Sequence, residues 1–246
     1  YIRKYKIHNF VETEYIIEKQ RMIKDEEEMS NIIKACNITD DCYKYILSYI
    51  KPGMTEKQIA KEIDDYYIGR TDGVSFDTIV ASGENSSKPH AVPTNRKIQE
   101  HDIITIDMGC KVNGYCSDMT RTFFVGEPTE EMKRVYDLVL SNQEFALDQY
   151  KEGASTRQVT KMVENDFKLN GYDLIHSLGH GVGLEIHEPP YVGYRNDSIL
   201  RENMVVTDEP GIYIPGKFGV RIEDTVQITK FGCVSLTTSE KNYVII

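Results

Sequence analysis

Four acidic residues and one histidine offer the clearest chemistry in this chain. The apolar run Ile103-Ile-Thr-Ile ends on Asp107, an Asn113-Gly114 step supplies the positive-φ turn of a hairpin, and the return strand brings Asp118 back past Asp107. Two carboxylates so close repel unless a cation lies between them or they share one proton. Taken alone, the pair is equally compatible with two strand-end aspartates on opposite faces. Glu209, in Val206-Thr-Asp-Glu209-Pro-Gly211, and Glu223, in Gly219-Val-Arg-Ile-Glu223-Asp-Thr225, repeat the pattern later in the chain. His180 sits between Gly179 and Gly181, where backbone can approach closely and an imidazole can reach a metal.

Two Asp, two Glu and one His form a hard, oxygen-rich donor set suited to Mn²⁺, Co²⁺, Fe²⁺ or Zn²⁺. Five ligands are too many for one open catalytic ion and suit two ions that share bridging carboxylates. Metals roughly 3.5 to 4 Å apart activate water at neutral pH and polarise a carbonyl, so hydrolysis is the leading reaction class. The glycines at 179, 181 and 183 imitate a phosphate loop. No helix-forming stretch follows them and no Gly-Lys-Ser is present, which argues against nucleotide binding.

The elements that must place these groups occur twice. Lys51-Pro-Gly53-Met-Thr55-Glu-Lys-Gln58 is echoed 100 residues later by Lys151-Glu-Gly153-Ala-Ser155-Thr-Arg-Gln158. Each reads as a capping box opening a helix, Thr55 with Gln58 and Ser155 with Gln158, and each follows a long amphipathic helix, expected over residues 24–50 and 129–150. A strand is expected over Val74–Ser82, then a Ser-, Asn- and Pro-rich loop holding Pro89-His90-Ala91. Val206-Thr-Asp-Glu209-Pro-Gly211 parallels Ile104-Thr-Ile-Asp107-Met-Gly109, and Gly219 to Thr225 parallels Gly114 to Thr120, so Glu209 takes the place of Asp107 and Glu223 that of Asp118. The expected fold is a pseudo-twofold α+β domain with an acidic centre between its halves. Residues 1–21 show no long periodicity and read as a strand or arm.

The whole-chain totals agree with this chemistry. At 246 residues one sizeable α/β core is affordable. A net charge of −10 argues against nucleic acid or an anionic membrane as the main partner. Five scattered cysteines without a Cys-x-x-Cys pair signal neither a disulfide framework nor a zinc knuckle and fit a reducing cytoplasm. No apolar run approaches the roughly 20 residues of a membrane span.

His90 in its Pro-His loop, Asp107, Asp118, Gly179-His180-Gly181-Val182-Gly183, His187-Glu188-Pro189, Glu209-Pro210-Gly211-Ile212-Tyr213 and Gly219-Val220-Arg221-Ile222-Glu223-Asp224-Thr225 together resemble the pita-bread metallopeptidases, which include methionine aminopeptidase, aminopeptidase P and prolidase. Arg221 two places before Glu223, and His176 four before His180, resemble the Xaa-Pro branch. The resemblance implies a pita-bread catalytic domain over residues 22–246, with 1–21 as the tail of a missing N-terminal domain or a linker. It implies two divalent ions, Mn²⁺ first among them, with Asp107 on one, His180 and Glu209 on the other, and Asp118 and Glu223 bridging. Glu209 would also carry the proton, His90 and His187 would stabilise the tetrahedral intermediate, and His176, Tyr213 and Arg221 would complete the substrate site, Arg221 chiefly by orienting a ligand carboxylate. The substrate would be a peptide with proline in second place, and a homodimer is compatible with this. The rival readings are methionine aminopeptidase and a catalytically idle peptide-binding module.

Overall fold

The structure is a computed structural model describing residues 13–195 and 197–246. It opens with a short helix α1 (Ile16–Arg21), so this part of the expected strand or arm is corrected, while residues 1–12 lie outside the described residues. The Ile16-Ile17 pair looks strand-like, yet Lys19 N donates to Tyr15 O and Met22 N to Glu18 O, closing helical turns. Helix α2 (Glu26–Tyr49) starts at Asp25, whose complete capping box with Glu28 offsets the orphan amides. Its buried face, Met29, Ile32, Cys36, Tyr43 and Ile46, follows the three-and-four spacing of the sequence. Helix α3 (Glu56–Tyr67) carries the expected Thr55–Gln58 box.

Strand β1 (Ile79–Ser82) is shorter than expected. Val74 makes only an isolated bridge to Cys110, Ser75 Oγ donates to Cys110 O at 2.8 Å, and Thr78 Oγ1 donates to Asp64 at 2.6 Å. Side-chain hydrogen bonds there compete with ladder pairing. Then come β2 (Ile103–Met108), β3 (Lys111–Val112), β4 (Tyr115–Cys116) and β5 (Met119–Phe124). Asn113 and Gly114 take φ of 50° and 82°, the twist that a two-residue hairpin loop needs. Helices α4 (Glu130–Gln149) and α5 (Thr156–Leu169) repeat the helix pair. At Ser155 the box is half realised: the hydroxyl accepts from Gln158 N and donates to Asp197, without the return bond from the Ser155 amide to the glutamine side chain. The chain finishes with β6 (Gly179–Gly181), β7 (Glu188–Val192), β8 (Val205–Asp208), β9 (Gly211–Ile214), β10 (Phe218–Arg221), β11 (Asp224–Ile228) and β12 (Cys233–Ser235).

One sheet runs β1-β2-β5 and the other β12-β11-β8-β6-β7, whose central β6-β8-β11 repeats the order of the first. In each half a small hairpin, β3-β4 or β9-β10, interrupts the chain between the two strands beside the acids. Helices α2 and α3 bury Ile46, Ile59 and Ile63 against Ile104 and Ile106, while α4 and α5 bury Val139, Val163 and Phe167 against Val206 and Val226. Burying each such side chain contributes about 1.5–3 kcal/mol. Strand β2 alternates between the two cores, with Ile104 and Ile106 on the first and Ile103 on the second. Period-two alternation therefore turns Thr105 and Asp107 toward the seam between the halves. All five cysteines are free thiols, and no helix among the described residues is long and apolar enough to cross a membrane.

Candidate active site

The acids sit at strand ends that converge on this seam. Asp107 is next to last in β2, Asp118 precedes β5, Glu209 follows β8, and Glu223 lies between β10 and β11. The halves exchange hydrogen bonds crosswise: Thr120 Oγ1 donates to Glu223 Oε2 at 2.6 Å, while Thr225 Oγ1 donates to the Asp118 carbonyl at 2.7 Å. Glu223 N also donates to Thr120 O. Each threonine thus steadies the acid of the opposite half.

His180 projects from β6 between two glycines that cannot be replaced cheaply. A Cβ on Gly179 would fall 2.1 Å from Thr207 O, and one on Gly181 2.5 Å from Glu188 O. The His180 amide donates to Thr207 Oγ1, and its Nδ1 lies 3.1 Å from the Gly181 carbonyl. With the ring proton on Nδ1, the Nε2 lone pair faces Asp118 Oδ2 and Glu209 Oε1, each 3.4 Å away. One ligand atom each from Asp118, His180 and Glu223 lies within 4.8 Å of the others, and all three residues are buried. Asp107 Oδ1 and Asp118 Oδ1 are buried without a hydrogen-bond partner among the described residues.

Burial pushes the Asp118 and Glu223 carboxyls well above their ordinary range, and neighbouring carboxylates push them further. Asp107 is raised by burial as well, with Arg221 pulling it back. A cluster of this kind takes up either protons or cations. Oxygen-rich donors, orphaned carboxylate oxygens and an imidazole lone pair aimed at acids fit divalent metal ions.

Arg221 lies behind Asp107, 4 % exposed. Its Nη2 donates to Asp107 Oδ2 at 2.7 Å, Nε to Thr120 Oγ1 at 3.0 Å, and Nη1 to Tyr213 Oη and to the Pro89 carbonyl. Tyr213 Oη also lies 3.0 Å from His176 Nε2, and burial pushes the phenol up to about 12. Arg221 and Tyr213 therefore form a hydrogen-bonded chain from Asp107 to His176. The Pro89 contact pins the loop bearing His90. That loop is tied further by Glu56, buried at the start of α3, which accepts from Ser82, Asn85 and Thr94. His187 packs edge-on against His180, ring centres 4.2 Å apart. Desolvation lowers His176, and the partial desolvation beside His180 lowers His187, below the ordinary imidazole value, which disfavours their charged forms.

A cavity of about 510 Å³ opens over the cluster, lined by His90, His176, His180 and His187 together with Asp107, Asp118, Glu209, Arg221 and Glu223. Its size suits a short stretch of peptide. Phe76, Ile79, Ile186 and Tyr191 supply apolar wall that the sequence reading missed, because no short motif marks them. Thr120 was also missed, although the repeat pairs it with Thr225.

The model of metallopeptidase family M24 matches residues 30–230. The chain belongs to metallopeptidase family M24. Among M24 relatives, an uncharacterized peptidase of Bacillus subtilis, YqhT, is 41% identical over 94% of this chain and 66% of its own length. An Xaa-Pro dipeptidase of Pyrococcus horikoshii is 40% identical, covering 98% of this chain and 70% of the relative. The solved X-Pro aminopeptidase of Thermotoga maritima superposes with a TM-score of 0.95 at 39% identity, over 100% of this chain and 70% of that one. The chain thus spans about two thirds of the length of these M24 proteins. The expected pita-bread fold and membership of the metallopeptidases hold, and a divalent-metal site agrees with both.

Proposed function

We propose that this chain hydrolyses the peptide bond between an N-terminal residue and a following proline, using two divalent metal ions, Mn²⁺ first among them. The convergence of five donors from both halves on one cavity carries this reading, and the Xaa-Pro activities named for relatives at about 40% identity support the substrate class. Residues 22–246 are read as the catalytic unit, with 1–21 leading into it.

Asp107 would hold one ion, His180 and Glu209 the other, and Asp118 and Glu223 would lie between them. When bound, the ions supply Lewis-acid polarisation of the scissile carbonyl and make water acidic enough to be a nucleophile near pH 7. Glu209 accepts a proton from the attacking water and returns it to the prolyl nitrogen, which must be protonated to leave as an amine. His187 and His90, at the cavity edge, donate hydrogen bonds to the oxygen that gains charge as the carbonyl becomes tetrahedral. Arg221, braced by Tyr213, orients Asp107 and favours its charged form, and His176 extends that chain to the substrate wall. A prolyl amide has no N–H and a fixed φ, so a site selective for it must fit the ring rather than hydrogen-bond the amide. The apolar wall of Phe76, Ile79 and Tyr191 suits that ring. The surrounding acids suit the substrate's α-ammonium group.

The test compares kcat/KM for Xaa-Pro-Yaa, Xaa-Ala-Yaa and Met-Ala-Yaa peptides on metal-replete protein, with Xaa-Pro-Yaa expected to lead by at least about tenfold. A lead for Met-Ala-Yaa would reassign the chain to methionine aminopeptidase. Absence of a tightly bound divalent ion would favour a peptide-binding module.

A further inference from the structure

His187 is exposed, packs edge-on against His180, and has no hydrogen bond among the described residues. Its place is therefore set by the backbone on either side. On one side the turn is tied by Cys116 N donating to Gly183 O at 2.8 Å and by Gly183 N donating to Glu185 O at 3.1 Å. On the other side the next residue, Glu188, is 2 % exposed and turns its carboxylate inward beneath the turn. A Cβ on Gly183 would lie 2.5 Å from Glu188 Oε1, so that glycine makes the room.

The inward carboxylate is gripped by two cations from a distant part of the chain. Lys24 Nζ, itself buried, donates to Glu188 Oε1 at 2.9 Å, and Arg21 Nη2 donates to Oε2 at 2.5 Å. Lys24 is fastened in turn through its amide to the Asn203 carbonyl. Burial works against the Lys24 cation, with Glu188 opposing that effect. A buried ion cluster brings no more stability than apolar packing of the same volume, but it is directional. We infer that Arg21 and Lys24, acting through Glu188, are positioning residues for His187, so that the segment entering α2 sets the placement of an active-site histidine. This rests on the role given to His187 under the proposed function.

The test is a double-mutant cycle. Lys24→Met should lower kcat/KM about tenfold in the native background, as for loss of an orienting partner, with bound metal unchanged. In the His187→Ala background the same substitution should cost less than about twofold, because the group it positions is gone. Equal losses in both backgrounds, or no loss in the native one, overturn the inference. Should Lys24→Met fail to fold, Arg21→Gln at the more exposed end of the cluster runs the same cycle under the same criterion. A second readout needs no turnover: the ¹³C-labelled His187 ring resonance, assigned by its loss in His187→Ala, should move in the Arg21 or Lys24 variant, and an unmoved resonance overturns the inference. If the unaltered protein cleaves no Xaa-Pro peptide, the proposed function fails, and the ring resonance still decides the positioning claim.

Discussion

Burial gives the individual side chains of the centre different tasks. Asp118 and Glu223 are sealed among other carboxylates, so burial and mutual repulsion favour uptake of a proton or a cation. Asp118→Asn or Glu223→Gln should therefore lose bound metal and lower kcat/KM by at least roughly 10²-fold, read by metal analysis alongside kinetics. Retention of two ions and a near-native rate would remove the bridging assignment. His90 and His187 lie at the cavity edge instead, and His187→Ala or His90→Ala should keep the metal while losing roughly 10²-fold in kcat. Metal loss in either variant would place that histidine among the ligands. Arg221 meets Asp107, Tyr213, Thr120 and Pro89 with one planar fork. Lysine cannot reproduce that fork, so Arg221→Lys should weaken metal binding about 10- to 100-fold at unchanged ligand identity, as seen by titration of the metal-free protein.

At the scale of elements, the loop carrying His90 is held from its two ends. Glu56 accepts from Ser82 and Asn85 on one side and Thr94 on the other, and Arg221 holds the Pro89 carbonyl. Burial pushes the Glu56 carboxyl up, but the hydrogen bonds from Thr94 and Ser82 more than reverse this and leave it below its ordinary value. Its stabilising contribution is therefore present above the unfolded-state value near 4.3 and is lost as pH falls through the lower folded-state value. Glu56→Gln should cost about 2 kcal/mol in urea unfolding at pH 7, and the gap to the native protein should close on acidification. A gap that persists undiminished at the acid limit would show that the carboxylate charge is not what ties the loop.

Across the whole molecule, metal and proton compete for one cluster between the halves. Folded-state values of Asp107, Asp118 and Glu223 lie above their unfolded ones, burial being the first cause. In metal-free protein these groups favour the fold at pH below the unfolded carboxylate range, and that contribution is lost as pH rises through their folded values. Metal replaces the protons, so the rise in Tm on adding Mn²⁺ should be larger at pH 8 than at pH 5.5. An equal rise at both values would mean that the acids do not titrate with the metal.

The repeat made the architecture legible before any coordinates. Two capped helix pairs and two pairs of strand acids at matched places specify a pseudo-twofold domain, because a period of that length marks a structural unit and carboxylates that converge call for a cation or a shared proton. Asp107, Asp118, His180, Glu209 and Glu223 were therefore identifiable from type and spacing. Where local signals are short, sequence and structure part: residues 1–21 read as a strand or arm for want of periodicity, yet Ile16–Arg21 forms a helix, and Val74–Thr78 leaves the ladder for side-chain hydrogen bonds. The crosswise threonines, the Arg221–Tyr213–His176 chain, the Glu56 tether and the Arg21–Lys24 grip on Glu188 were decided only by the tertiary structure. Apart from Arg221 and Tyr213, eight positions apart, these contacts join residues distant in the chain, up to 167 positions for Arg21 and Glu188. Periodicity records which face a residue presents, but it carries no information about which distant side chain will meet it there.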